Sequence, residues 1–207
     1  MEAAVIRQTS CAWCVVLGGL LLLALPVSST AQGTPRAEFS AGWRLLQAMD
    51  FDGETDETFP AGWYADVAVN VTDAIALVGD VSGAYKSFEE TFTTGGIRFD
   101  ATANLKIHTF MGGVRFNARP NPRVTPFAQA LFGLARADAR VEATSTVAGF
   151  NFDESESENE FAIEAGGGVN LRLTDAIGVR AYGSYIRIGA EDGGNGFRFG
   201  AGLVFPF

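Results

Sequence analysis

From residue 37 to residue 207 apolar side chains recur at every second position, in eight separate stretches. A period of two is the signature of the β-strand. The first stretch, 37–47, sets Phe39, Ala41, Trp43 and Leu45 against Ser40, Gly42 and Arg44. The second, 62–71, sets Trp63, Ala65, Val67, Val69 and Val71 against Tyr64, Asp66, Ala68 and Asn70. In the third, 74–87, Ile75, Leu77, Val81 and Tyr85 oppose Asp80, Ser82 and Lys86. In the fourth, 109–118, Phe110, Val114 and Phe116 oppose Thr109, Arg115 and Asn117. The sixth, 160–173, opposes Phe161, Ile163, Val169, Leu171 and Leu173 to Glu164, Asn170 and Arg172. The seventh, 176–188, opposes Ile177, Val179 and Tyr185 to Arg180, Tyr182 and Ser184. The eighth, 196–207, is apolar from Phe197 to Phe207 at every odd position, with Arg198 and glycines between.

Two places break the parity. Upstream of Thr109, Leu105 and Ile107 fall on the polar parity, and Lys106 and His108 on the apolar one. Either this piece lies beyond the apolar band or a bulge resets the pleat. In the fifth stretch, 126–140, Ala128, Phe132 and Leu134 share one face, yet Phe127 and Leu131 accompany Gln129 on the other.

The connections sort into two kinds. Those after stretches two, four and six are short, at 72–73, 119–123 and 174–175. Those after stretches one, three, five and seven are longer and polar, with acids concentrated at 48–60, 142–160 and 189–195. Short turns at one end and long loops at the other are the rhythm of an up-and-down antiparallel barrel. Thr-Asp-Ala-Ile occurs twice, at 72–75 and 174–177, each time between alternating strands. Its aspartate is the expected turn-setter.

Alternation alone does not say which face meets water. A tilted strand of about ten residues rises some 25 Å, the height of an outer-membrane barrel's apolar band. The aromatic side chains would overfill an eight-strand interior, which is just wide enough for side chains. Charge decides the direction. Asp66, Asp80, Arg115, Glu164, Arg172, Arg180 and Arg198 all fall on the polar parity. An arginine facing lipid at mid-depth costs about 2–4 kcal/mol, against a typical total stability of about 5–15 kcal/mol. These seven residues are therefore expected to point inward as a paired polar network filling the lumen. The fold expected is all-β: an eight-stranded antiparallel up-and-down transmembrane β-barrel, with the last strand pairing with the first.

The N-terminal segment reads differently. Arg7 precedes an apolar run from Cys11 to Leu25, Pro26 breaks it, and Ser29 and Ala31 are small residues suited to a cleavage site. That pattern is a secretory signal peptide over 1–31, leaving 32–207 as the barrel domain. Both cysteines, Cys11 and Cys14, lie inside it, so no disulfide or thiolate chemistry is expected in the barrel. The net charge of −9 argues against a nucleic-acid partner.

With "TFMGGVRFN" at 109–117, "VTPFAQALFGLA" at 124–135 and the ending "FRFGAGLVFPF", the chain resembles the small eight-stranded outer-membrane β-barrels of the OmpX and OmpA-membrane-domain type, within the broad porin-like outer-membrane β-barrel group. The resemblance implies outer-membrane lipid and lipopolysaccharide as surroundings and a monomer. It also implies insertion by the barrel-assembly machinery, for which Leu203, Phe205 and Phe207 match the terminal signal. Members of this group include structural barrels, adhesion or defence proteins, narrow pores and lipid-modifying enzymes.

Candidate chemistry is sparse. His108 is followed two residues on by Phe110, where the lipid A deacylase pattern would need a serine. Asp50, Asp52, Glu54 and Asp56 alternate like early EF-hand ligands, but the glycine and the closing glutamate are misplaced. No cofactor, no metal site and no catalysis are expected. The role expected is structural or surface-interacting, carried by acidic extracellular loops, with short turns in the periplasm. A narrow porin-like pore is the alternative, and a lipid-modifying enzyme the third possibility.

Overall fold

The computed structural model describes residues 34–50, 57–94, 97–119, 123–145, 152–189 and 194–207. The expected signal peptide, and Asp52, Glu54 and Asp56 of the acidic motif, lie outside the described residues. The strands are β1 (Ala37–Asp50), β2 (Glu57–Phe59), β3 (Ala61–Asn70), β4 (Ile75–Thr94), β5 (Ile97–Asn117), β6 (Val124–Ser145), β7 (Phe152–Arg172), β8 (Gly178–Ile188) and β9 (Asn195–Pro206). β2 and β3 are one stave broken at Pro60. Both pair with β1, but the register slips by one residue between Leu46↔Phe59 and Trp43↔Trp63. Proline lacks the N–H that a ladder requires, so the break falls there.

Each stave pairs antiparallel with the next, and β9 pairs with β1, giving a closed eight-stave barrel. Directly paired residues trace a line around the wall: Glu38, Ala68, Val78, Gly113, Leu131, Glu164, Ile186, Gly196, and back to β1 at Ala48. The line closes ten residues beyond its start on β1, which sets the strands at a tilt of about 40°. An even shift keeps every inward residue inward, so the two faces never exchange around the circuit.

The outer face is a wall of exposed large apolar side chains, including Val69, Leu77, Phe110, Phe116, Phe132, Leu134, Phe161, Ile163, Phe199 and Leu203. The inner face holds the polar parity. No described helix is long and apolar enough to cross a membrane; besides helices, only closed barrels can span one. At one rim, tryptophan and tyrosine heads find polar partners. Trp43 Nε1 donates to the Pro60 carbonyl (2.9 Å), Trp63 Nε1 donates to Tyr85 Oη (2.9 Å), and Tyr85 Oη meets His108 Nε2 at 3.1 Å. Gly83 leaves room for this pair, because a Cβ there would lie 2.6 Å from Tyr85 Oη and 2.7 Å from Trp63 Nε1.

The two Thr-Asp-Ala-Ile turns are the same structure. Thr72 Oγ1 accepts from the N–H groups of Ala74 (3.2 Å) and Ile75 (3.0 Å), and Thr174 Oγ1 accepts from Ala176 (3.2 Å) and Ile177 (3.0 Å). The threonine hydroxyl, rather than the aspartate, supplies the side-chain acceptor within each turn.

The long connections are the main departure from the sequence reading. β4 to β7 extend well past their expected ends, so most of 88–100 and of 142–160, expected as loops, is strand. β4, β5 and β6 pair without interruption through this region, and β6 with β7 likewise. No bulge occurs near His108. The first alternative holds: Leu105 and Ile107 stay on the inner parity beyond the polar lumen. There, buried Ile107 joins Leu46, Phe59, Ala84 and Ile186 in an apolar plug, with Leu105 and Ile188 packed against it. In β6, Phe127 and Leu131 are likewise interior and buried.

Candidate functional site

The interior below this plug is a chain of charges supplied by facing staves. Each of these side chains is the polar member of an alternating strand, so the barrel's closure brings them together. Two clusters stack along the lumen.

Nearer the plug, Arg44 forms a two-point pair with Asp80, Nη1 to Oδ1 at 3.1 Å and Nη2 to Oδ2 at 2.9 Å. Its Nε donates to Tyr182 Oη. Its guanidinium also lies 5.1 Å from the Tyr64 ring centre and 5.3 Å from that of Tyr182, and the two rings meet edge-to-face. Beside it, Arg198 Nη1 donates to Glu164 Oε2 (2.8 Å) and to Thr109 Oγ1 (3.4 Å), which in turn bonds Ser82 Oγ (2.7 Å).

Nearer the turns, Asp66 accepts from Arg115 Nη2 (3.0 Å) and from Arg180 Nη1 (2.5 Å). Arg115 Nε donates to Gln129 Oε1 (3.0 Å), and Arg180 Nε to Asn170 Oδ1 (2.8 Å). Both guanidinium groups lie 4.9 Å from the centre of the Phe127 ring, so one aromatic serves two cations. That contact is why an apolar Phe127 belongs on the polar parity. Arg119 pairs with Glu38 at 3.5 Å near the turn end.

Six of the seven expected lumen residues therefore meet in these clusters: Asp66, Asp80, Arg115, Glu164, Arg180 and Arg198 are all buried. Arg172 does not join them. It ends β7 at the turn end, half-buried, where its N–H donates to the Arg123 carbonyl (2.8 Å). Strand parity places it correctly but cannot tell mid-barrel from rim. Arg44, Glu38, Tyr64 and Tyr182 were missing from the expected set. Arg44 lies on the polar face of the first stretch, and a search for counter-ions of the expected acids would have found it.

The pairing is what makes the interior tenable, since an uncompensated buried charge is heavily penalised. Chemically the lumen is a cross-linking network. Among the described residues no group of three or more His, Cys, Asp or Glu is arranged to hold a metal. His108 lies on the outer wall, bonded to Tyr85. At the end of the chain, Phe205 stacks on Phe39 with ring centres 6.2 Å apart. Phe207 is tied by its backbone to Arg36 and Ala37 of the first stave (2.8 Å in each case). Leu203 faces outward.

The architecture recurs in solved structures. Ail, the attachment invasion locus protein of Yersinia pestis, solved in complex with the heparin analogue sucrose octasulfate, is 21% identical, with a TM-score of 0.57 over 84% of this chain and 100% of that one. Neisserial surface protein A is 12% identical, with a TM-score of 0.55 over 85% of this chain and 100% of that one. At these identities the likeness is one of fold. No curated protein matches the chain significantly. The family model described as "Outer membrane protein beta-barrel domain" matches residues 17–205. With a closed, lipid-faced barrel of eight staves and a match over nearly its whole length, the chain belongs to the outer membrane protein β-barrel domain family.

Proposed function

We propose that this protein is a structural, surface-interacting barrel of the outer membrane, without catalysis, whose lumen is closed to solutes. In this reading the short turns face the periplasm and the extended β4–β7 sheet stands outside the cell. One observation carries it. Arg44, Tyr64, Arg115 and Arg198, from four staves, are each only 1–2% exposed, which supports a lumen packed too tightly for an open aqueous channel. Porins with aqueous channels have 16–18 strands. The apolar plug adds a second seal on the side of the extended sheet. The surroundings are outer-membrane lipid and lipopolysaccharide, and the barrel works as a monomer. Leu203, Phe205 and Phe207 form the signal read by the barrel-assembly machinery.

The Yersinia relative was solved with a polysulfate. The extended β7 here carries a row of glutamates that would repel such a ligand, so that property is not carried over. A narrow pore is the second reading, favoured by the polarity of the lumen.

Surface labelling tests the orientation. In a Cys11→Ser, Cys14→Ser background, Ser157→Cys should react with a membrane-impermeant maleimide on intact cells. Labelling only after lysis would contradict an external sheet.

A further inference from the structure

We propose that the turn-end mouth of the lumen binds a small monovalent anion of chloride size, held between Arg119 and Arg172.

The lumen's charges are unevenly shared. Nearer the plug, Arg44 and Arg198 face Asp80 and Glu164, two cations for two acids. Nearer the turns, the inner parity carries Arg115, Arg119, Arg172 and Arg180, and only Asp66 and Glu38 oppose them. Four guanidinium groups against two carboxylates leave an excess of two positive charges. Both carboxylates are already divided. Asp66 serves Arg115 and Arg180. Glu38 turns Oε1 to Arg119 at 3.5 Å and Oε2 to Arg180 at 3.8 Å, and Asn170 Nδ2 donates to the same Oε2 at 3.5 Å. Among the described residues no acid pairs with the Arg172 side chain. The turns do not supply the difference. Asp73 and Asp175 are exposed there, matched by exposed Arg36 and Arg123.

Two buried donors point to the same need. Arg115 Nη1 and Arg180 Nη2 have no hydrogen-bond partner among the described residues, on side chains only 1% exposed. Buried N–H groups of this kind call for a water or an ion. An excess of buried positive charge calls for the ion, because water leaves the charge uncompensated.

The mouth also has room for one. A cavity of about 30 Å³ lies there, lined on the inner parity by Glu38, Arg119, Thr125, Asn170 and Arg172. One water molecule's share of the liquid is about 30 Å³. A halide is of that size, whereas a phosphate ester or a sugar acid is too large. With both oxygens of Glu38 turned to Arg119 and Arg180, the guanidinium of Arg172 and the hydroxyl of Thr125 remain to face the anion. The local excess of positive charge disfavours a cation in the same space. Charge-assisted bonds from Arg119, which follows β5, and Arg172, which ends β7, would fasten those two staves across the mouth. The site requires no passage through the lumen.

The test uses the full barrel refolded in nanodiscs of zwitterionic lipid, in sodium chloride or in sodium gluconate of equal ionic strength. Wild-type barrel should broaden the chloride NMR line, and added bromide should reverse the broadening by competition. Arg172→Gln should remove the broadening. Arg172→Glu should remove it too, because it places a carboxylate where the anion sits. Arg36→Gln, an exposed arginine at the same end, should leave it unchanged. Heat-modifiable gel mobility checks that each variant is folded. With chloride near its Kd, the wild-type unfolding equilibrium in urea should shift about twofold towards the folded state relative to gluconate, and neither Arg172 variant should show the shift. No broadening by the wild-type barrel, broadening that survives in both Arg172 variants, an equal loss in Arg36→Gln, or equal stability of the wild type in the two salts would each overturn the proposal.

Discussion

Asp66 and Asp80 stand directly opposite each other on β3 and β4, both facing inward and both buried, yet they share no arginine. Asp66 is held by Arg115 and Arg180, from β5 and β8. Asp80 is held by Arg44, from β1. Like charges directly opposite one another destabilise a strand pair. Here each is neutralised from a different part of the wall, and the two acids fasten β3 and β4 to three other staves.

Removing one of these acids should leave buried guanidinium groups uncompensated. Asp80→Asn is expected to cost about 3–5 kcal/mol, and Asp66→Asn at least as much, because it leaves Arg115 without a paired carboxylate and Arg180 with only Glu38, 3.8 Å away. Arg172→Gln, at the rim, should change stability by less than about 0.5 kcal/mol. Urea unfolding in vesicles, followed by heat-modifiable gel mobility, would measure all three. The double change Arg44→Met, Asp80→Leu should recover most of the loss, because it removes both charges together.

Gly200 makes room for Tyr182: a Cβ there would lie 2.3 Å from the tyrosine ring. Gly200→Val should push Tyr182 away from Tyr64 and Arg44, at about 1–3 kcal/mol. In a Tyr182→Ala background the same substitution should cost clearly less. Additive losses in the double-mutant cycle would show that the two positions do not interact.

Most of the fold was legible in the sequence because a barrel repeats one simple constraint on every stave. Alternation fixed the faces, and the cost of arginine in lipid fixed which face was which. Two things were hidden. The upper halves of β4 to β7 have loop-like composition, as in "DESESENE", and are strands because neighbours complete their ladders. A window on one segment cannot see that pairing. Likewise Leu105 and Ile107 look misplaced until Leu46, Phe59 and Ile186 are found beside them in the plug. Arg44 was missed for a related reason: its role is set by Asp80 and Tyr182, which are remote in sequence.

The outer wall also carries a depth test. Phe132 is 62% exposed in the middle of the apolar face. Phe132→Arg should cost about 2–4 kcal/mol in a bilayer, whereas Ser157→Arg, on the extended sheet, should cost less than about 0.5 kcal/mol. Equal costs in the vesicle unfolding assay would place the lipid band elsewhere.

In the turns, Thr72→Ala and Thr174→Ala each remove an acceptor for two backbone N–H groups. Each should lower stability by about 0.5–1.5 kcal/mol. Asp73→Ala and Asp175→Ala should do less. The same unfolding assay checks the order, and a larger loss at the aspartates would return the turn-setting role to them.

The central claim is that paired charges and an apolar plug close the lumen. Single-channel recording of the purified barrel in planar bilayers tests it most directly. The account predicts no steady unit conductance from the wild-type protein. Stable, reproducible single channels from the wild-type barrel would contradict it.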